Sequence, residues 1–242
     1  FVPSEKMESW LNSRPGIQEI GLIAPSLFDH PEIEFILQML SKRKLRLRNS
    51  SVKWEKLSPE ILRNLFSLGV RTLTLAPETG SPTLRSNMRK PLLDEDFYDM
   101  IARIADQGFE NLKLYFMVGL PGENFSDLES TLKMIEKTWR TCEGKIKNLS
   151  LAFSGFVPKK GTPWEGEKVF SQSEFKSRFK FLRAGVMKIS SSIKASFESP
   201  KEIASQAFFS RVGPELAEKF EIEANELKWR GKTVEQDFFS EF

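Results

Sequence analysis

Residues 114–124 read LYFMVGLPGEN, an apolar run followed by a turn rich in glycine and proline. The apolar run predicts a buried strand, and the polar residues after the turn predict the start of a helix. A phosphate-binding P-loop would end in Gly-Lys-Ser or Gly-Lys-Thr, which this turn lacks. Gly119 and Gly122 carry no Cβ, so the turn is typical of main chain that comes close to a flat ligand.

Apolar and helical segments alternate outward from this strand in both directions. Strands are predicted to begin near Ile17, Leu45, Arg71, Asn111 and Asn148, with a further strand over residues 187–195. The alternation indicates a parallel sheet with helices packed on it, and five or six units are too few for a closed eight-stranded barrel. An open doubly wound sheet fits as well. Our preferred prediction is an α/β fold with a partial (β/α) TIM-like barrel over residues 1–165 and a C-terminal helical extension over residues 166–242.

Four helix starts carry capping signals, the first of them Asp29 before a helix predicted from His30. Ser58 stands before a helix whose first residue is proline, an arrangement typical of an N-cap. Ser126 with Glu129, and Ser171 with Glu174, have the spacing of a capping box. We therefore expect helices to begin directly after these three serines.

The composition excludes several kinds of site. Cys142 is the only cysteine and His30 the only histidine, so the chain alone cannot form a disulfide, a cysteine-ligated iron–sulfur cluster or a histidine-rich metal site. The net charge of +3 permits nucleic-acid binding without indicating it. The single cysteine is typical of a reducing compartment, and no apolar run is long enough to span a membrane. We therefore expect a cytoplasmic protein.

Small residues, prolines and hydroxyls follow the predicted strands. In a parallel sheet these ends meet at one edge, where ligands bind. Such a lining suits a flat polar ligand that is held by main-chain groups better than it suits proton transfer. The segments at the strand ends are Ala24-Pro25-Ser26, Asn49-Ser50-Ser51, Pro77-Glu78-Thr79-Gly80-Ser81, Gly119-Leu120-Pro121-Gly122-Glu123 and Phe156-Val157-Pro158.

Three of these segments carry a resemblance to a known family. TLAPETGSPTLRSNMRK (74–90), NLKLYFMVGLPGE (111–123) and FSGFVPKKGTPW (153–164) together resemble the barrel of radical S-adenosylmethionine (SAM) enzymes. The chain is most similar to the branch whose members often carry a cobalamin-binding domain ahead of the barrel, and it is also similar to the methylthiotransferases. IGLIAPSLFDHPE (20–32) and SPKEIASQAFFSR (199–211) fit the same branch, so the resemblance covers nearly the whole chain.

The resemblance implies a binding site for SAM across the carboxyl ends of the strands. The adenine would be bordered by main chain at two turns. Glu78, Thr79 and Ser81 would face the ribose and the methionine end, and Lys90 would pair with the SAM carboxylate. Relatives often have an acidic residue at the position of Tyr115, so this ribose contact is altered here. The residues at the two adenine turns are Met117, Gly119, Pro121, Phe156, Val157 and Pro158.

The chain departs from the family in one defining feature. Members hold a 4Fe–4S cluster with three cysteines in a CxxxCxxC motif, and this sequence has no such motif. The resemblance therefore implies a parent protein whose cluster ligands lie in a missing N-terminal segment upstream of Phe1, with cobalamin as a further cofactor implied by the branch. It leaves the substrate open between a small molecule and RNA. We expect the segment alone to be inactive.

Two other hypotheses stay open. The basic run SKRKLRLRNSSVK (41–53) would suit a non-catalytic barrel that binds RNA or protein and has lost its cluster. Lys113 is the nearest candidate for a Schiff-base lysine of an ordinary (β/α) barrel enzyme. It stands near the start of its strand, however, which is the wrong end for barrel catalysis.

Overall fold

Parallel strands alternate with helices throughout the described part of the chain. The computed structural model describes residues 1–24, 26–48, 51–90 and 93–211. The strands are β1 (Glu19–Ile20), β2 (Arg46–Leu47), β3 (Thr72–Glu78), β4 (Asn111–Val118), β5 (Asn148–Gly155) and β6 (Lys194–Phe197). The helices are α1 (Ser4–Asn12), α2 (Ile33–Lys42), α3 (Pro59–Ser67), α4 (Pro82–Asn87), α5 (Asp94–Asp106), α6 (Phe125–Cys142), α7 (Gln172–Ile189) and α8 (Pro200–Arg211).

The strands follow one another in space in the order of the sequence. β1 pairs with β2, and β3, β4, β5 and β6 form a second sheet in that order. Every strand pair is parallel, and a bridge between Ser51 and Thr74 links the two sheets. The order shows no reversal of the kind at which a doubly wound sheet binds its ligand. The predicted α/β fold with a partial barrel of parallel strands is therefore confirmed.

One face of the central strands packs on the helices and the other does not. On β4 the even-numbered residues from Leu112 to Val118 are buried in the main core, while Lys113, Tyr115 and Met117 lie on the opposite face. β5 alternates in the same register, because Tyr115 pairs with Ala152 and Met117 with Ser154. Tyr115 keeps 38% of its surface exposed. The face away from the helices is thus available to a ligand.

Two of the four predicted helix caps are confirmed. Ser58 accepts a hydrogen bond from the Ile61 amide, and Ser171 forms its capping box with Glu174. The cap predicted at Asp29 is wrong, because α2 begins at Ile33 directly after Glu32. The prediction for Ser126 and Glu129 is wrong. α6 begins two residues earlier than expected, because Asn124 and Asp127 supply the capping box.

The C-terminal extension contributes a strand as well as helices. β6 pairs with β5 and starts at Lys194, later than predicted, because α7 continues to Ile189. The sheet therefore continues past residue 165, while the proposed division into two domains stays a prediction. Residues 212–242, the last part of the predicted C-terminal helical extension, lie outside the described residues. No helix in the described part of the chain is long and apolar enough to cross a membrane.

Two glycines hold helices close to the strand ends. A Cβ on Gly80 would lie 2.4 Å from the Ser130 carbonyl oxygen and from Thr131 main-chain atoms of α6. A Cβ on Gly155 would lie 2.5 Å from Ile203 Cδ1 of α8. Since real Cβ atoms do not approach so closely, α6 and α8 reach the ends of β3 and β5 only because these positions are glycine.

Candidate functional site

A cavity of about 790 Å³ opens at the carboxyl ends of β4, β5 and β6. We call it the rim cavity. Its volume lies within the range of roughly 300–1,000 Å³ that is usual for small-molecule sites. Four of the residues predicted to bind ligand line it, namely Tyr115, Met117, Phe156 and Val157. The remaining lining residues are Met88, Ala152, Phe153, Ser154, Gly155, Lys159, Thr162, Trp164, Ser196, Phe197, Glu198 and Gln206.

A small apolar cluster joins the loops around the rim cavity. Leu84 of α4, Leu120 of the turn after β4 and Phe156 of the loop after β5 are buried together. Trp164 meets Phe156 edge to face, with ring centroids 5.3 Å apart. These contacts hold the ends of β3, β4 and β5 around one shared cavity, as a nucleoside site would require.

The turn GLPGE is fixed against α7 by a buried ion pair. Gly119 and Gly122 have φ of +86° and +80°, which favour glycine. The Gly119 amide donates to Glu123 Oε2 at 3.0 Å, and Arg178 Nε donates to Glu123 Oε1 at 3.1 Å. Burial raises the pKa of Glu123 to about 7, against the lowering effect of the Gly119 amide and Arg178. The turn is thereby anchored, although Gly119 and Pro121 do not themselves line the rim cavity.

Lys90 and Glu78 form an ion pair at the end of β3. Lys90 Nζ donates to Glu78 Oε1 at 2.9 Å and to the Ala76 carbonyl oxygen at 2.6 Å. Glu78 has φ of +66°, a strained backbone conformation for a residue with a side chain. The pair holds both charged groups at the end of β3, and their expected contacts with SAM stay predictions.

Lys90 also lines a second, smaller cavity of about 290 Å³ at the carboxyl ends of β1, β2 and β3. Ser26, Ser51 and Trp54 contribute to its walls. Met88 lines the rim cavity and Lys90 lines the smaller one, so residues 88–90 lie between the two. Pro25, Asn49 and Ser50 of the predicted strand ends lie outside the described residues.

Thr79 and Ser81 are almost fully buried, at 2% and 3% exposure. Thr79 Oγ1 accepts a hydrogen bond from the Ser81 amide, and Ser81 Oγ accepts one from the Leu84 amide as the cap of α4. Neither residue lines the rim cavity or the smaller one. Pro158 lies away from both as well, in a third cavity beside the end of α8. The predicted ligand contacts of these three residues stay predictions.

Residues from the C-terminal extension complete the rim cavity, and the sequence analysis missed them. Glu198 follows β6, and its carboxylate accepts hydrogen bonds from the Gly155 amide at 3.0 Å and from Gln206 Nε2 at 2.5 Å. The sequence signal for Glu198 is a carboxylate directly after a strand. The strand predicted over residues 187–195 ends too early to bring Glu198 to a strand end.

The chain does not supply ligands for an iron–sulfur cluster. No group of three or more His, Cys, Asp or Glu residues that could hold a metal ion occurs within the described ranges. Cys142 is buried, and burial raises the pKa of its thiol to about 12. A buried thiol that stays protonated is a poor metal ligand.

The residues behind the alternative hypotheses are the basic run and Lys113. The basic run extends from the end of α2 through β2, so it begins at the amino ends of the strands, while Ser51 and Lys53 at its other end line the smaller cavity. Arg43 pairs with Glu8, which neutralises part of its charge. Lys113 is the third residue of β4, and its ammonium lies 4.7 Å from the centroid of the Tyr115 ring.

Known proteins resemble this chain in sequence and in fold. The family model of the Radical SAM superfamily matches residues 5–135. An uncharacterized protein of Methanocaldococcus jannaschii is 27% identical over 209 residues, which cover 86% of this chain and 45% of that protein. The chain thus spans less than half the length of this curated relative.

Two solved structures share the fold at low sequence identity. Streptococcus suis SuiB bound to S-adenosylmethionine matches with a TM-score of 0.53 and 8% identity, over 81% of this chain and 44% of that one. The archaeal Elp3 of Methanocaldococcus infernus matches with a TM-score of 0.52 and 13% identity, over 89% of this chain and 58% of that one. At these identities the likeness concerns the fold alone.

Proposed function

The chain belongs to the radical SAM superfamily, and from this premise we propose that it is the SAM-binding barrel portion of a radical SAM enzyme. The full-length protein would cleave SAM reductively to a 5′-deoxyadenosyl radical with a 4Fe–4S cluster. The rim cavity carries the proposal, because it opens at the carboxyl ends of the strands and has room for a nucleoside.

The rim cavity would hold the adenine chiefly through main chain. Met117, Phe156 and Val157 line it, and the Phe156 amide is already bonded to the Val118 carbonyl oxygen at 2.7 Å. That bond fixes the loop after β5 beside the end of β4, so the two turns face one ligand. The Tyr115 ring adds an aromatic surface against which a base can stack. These residues bind and orient the nucleoside and exclude water from it.

The methionine end of SAM would lie beside Lys90 and Glu78. A lysine supplies a point charge for a carboxylate, without the bidentate geometry of an arginine. Glu78 holds the Lys90 ammonium at 2.9 Å, which orients the charge before a ligand arrives. The carboxylate of Glu78 can in turn accept a hydrogen bond from an ammonium group.

The cluster does not fit the residues of this chain, which has one cysteine, Cys142, with a buried thiol. We propose that the cysteine ligands of the cluster come from protein outside these 242 residues. The cobalamin-binding region that the branch implies would lie outside them too. The isolated chain would then bind SAM without cleaving it. The substrate of the full-length protein would be a small molecule or RNA.

The test is to express the full-length parent protein without oxygen, reconstitute its iron, reduce it and measure 5′-deoxyadenosine by mass spectrometry. We expect 5′-deoxyadenosine and methionine in equal amounts. A reconstituted and reduced protein that releases neither product from SAM would overturn the proposed reaction.

A pair of variants on β5 connects that activity to the rim cavity. Ser154 lines the cavity, and Ser150 lies on the same face of the same strand, four residues nearer its amino end and outside the cavity. Ser154→Phe should abolish 5′-deoxyadenosine formation by filling the cavity. Ser150→Phe should retain most of it. Equal activity in both variants would place SAM elsewhere.

A further inference from the structure

Most polar side chains that line the rim cavity already donate their hydrogen bonds within the protein. A hydroxyl that already donates its single proton offers a ligand only its oxygen as an acceptor, whereas a lysine ammonium or a glutamine amide that donates once keeps further N–H donors. The donors and their acceptors are Ser154 to the Phe116 carbonyl, Ser196 to the Leu151 carbonyl, Thr162 to the Lys159 carbonyl, Lys159 to the Ser210 hydroxyl, and Gln206 to Glu198. The hydroxyls of Ser154, Thr162 and Ser196 therefore act as acceptors toward a ligand, while Lys159 and Gln206 keep donors.

Glu198 is the one carboxylate among the described residues that line the rim cavity. Within the described ranges, each of its oxygens accepts one hydrogen bond, Oε2 from the Gly155 amide and Oε1 from Gln206. These two bonds, one from β5 and one from α8, hold the carboxyl group in one orientation. A carboxylate offers about four lone pairs, so both oxygens keep the capacity to accept from a ligand.

We propose that Glu198 binds the ribose of the nucleoside by accepting hydrogen bonds from its 2′- and 3′-hydroxyl groups. The inference rests on the proposed function, because it requires a nucleoside in the rim cavity. Two neighbouring carboxylate oxygens match two neighbouring hydroxyls, and an acidic residue hydrogen-bonds the ribose 2′-hydroxyl in dinucleotide-binding sites. Ser154 and Ser196 add acceptor oxygens beside it.

The surrounding charges favour a neutral diol over an ammonium group. Lys159 lines the same cavity. Lys113 and Lys194 lie on the same face of the sheet, since both pair with Ser150. Ser150 is the same-face residue of β5 directly before Ala152, which lines the cavity. These three cations on the face that bears the cavity disfavour a cationic ligand group there by Coulomb repulsion. A diol carries no charge and gains the full hydrogen bond to the carboxylate.

The experiment measures competition against radiolabelled SAM on the intact protein that carries this chain, with adenosine and 2′,3′-dideoxyadenosine as probes. The wild type should bind adenosine roughly tenfold or more tightly than the dideoxy compound, because hydrogen bonds to a charged group are strong. Glu198→Gln should reduce this preference to about threefold or less, since Gln keeps one acceptor oxygen and loses the charge. Its affinity for the dideoxy compound should stay unchanged, which shows that the variant folds.

Glu202→Gln serves as the matched control, because Glu202 is an exposed glutamate on α8 that lies outside the rim cavity. It should keep the full preference for adenosine. If Glu198→Gln also keeps the preference while SAM binds normally, Glu198 does not bind the ribose and this inference fails alone. If the wild type binds neither SAM nor adenosine, the proposed function fails and the inference fails with it.

Discussion

Replacing Glu123 by glutamine should change how the stability of the protein depends on pH. The Glu123 side chain is 1% exposed, and it accepts hydrogen bonds from Gly119 and Arg178. Burial raises its pKa from an ordinary value of 4.5 to about 7. The folded protein therefore binds this proton more tightly than the unfolded chain does. Glutamine has nearly the same shape and does not titrate.

The size of the effect follows from the two pKa values. A pKa raised on folding stabilises the native state fully below the unfolded value and loses that stabilisation as the pH rises through the folded value. A change from 4.5 to about 7 corresponds to about 3 kcal/mol. Wild type and Glu123→Gln should thus be about equally stable near pH 4.5, and the variant should be more stable by about 3 kcal/mol at pH 8.

Urea unfolding of both proteins at several pH values between 4.5 and 8 measures this difference. Glu202→Gln, at an exposed position, should follow the wild type throughout. A difference in the free energy of unfolding between Glu123→Gln and wild type that does not change with pH would refute the reasoning. An increase in the stability of the wild type relative to the variant as the pH rises would refute it too, because pairing with Arg178 would then outweigh burial.

Three further changes test the architecture of the site. Gly80→Ala should lower the free energy of unfolding by about 1–3 kcal/mol or more, because the new Cβ meets α6 main chain. A decrease of less than about 0.5 kcal/mol, measured by urea unfolding, would contradict that packing. Lys90→Met should weaken SAM binding roughly tenfold and leave adenosine binding unchanged, as measured by calorimetry; an equal loss for both ligands would contradict pairing with the carboxylate. Asn124→Ala should lower the free energy of unfolding in urea by about 1 kcal/mol, and Ser126→Ala should lower it clearly less, since Asn124 caps α6. A larger decrease for Ser126→Ala would contradict that assignment.

Local patterns made the fold predictable from the sequence. Apolar runs such as residues 111–118 and helix starts such as Ser58-Pro59 depend on neighbouring residues only, so they can be identified without a structure. The error at the start of α6 is local as well. Two possible capping pairs, Asn124 with Asp127 and Ser126 with Glu129, stand two residues apart, and α6 uses the first of them.

The candidate site was predictable only where it consists of strand ends. Tyr115 and Met117 follow from the alternation of β4, and Phe156 from the end of β5. Glu198 joins the rim cavity through the pairing of β6 with β5, and Arg178 reaches Glu123 across 55 residues of sequence. Such long-range contacts depend on how helices and strands pack, which local sequence patterns do not specify.

A crystal structure of the intact protein with SAM tests the central claim most directly. The account predicts adenine in the rim cavity, bordered by main chain at Met117, Phe156 and Val157, with the SAM carboxylate beside Lys90. SAM bound at another surface, or a rim cavity that stays free of ligand at saturating SAM, would contradict it.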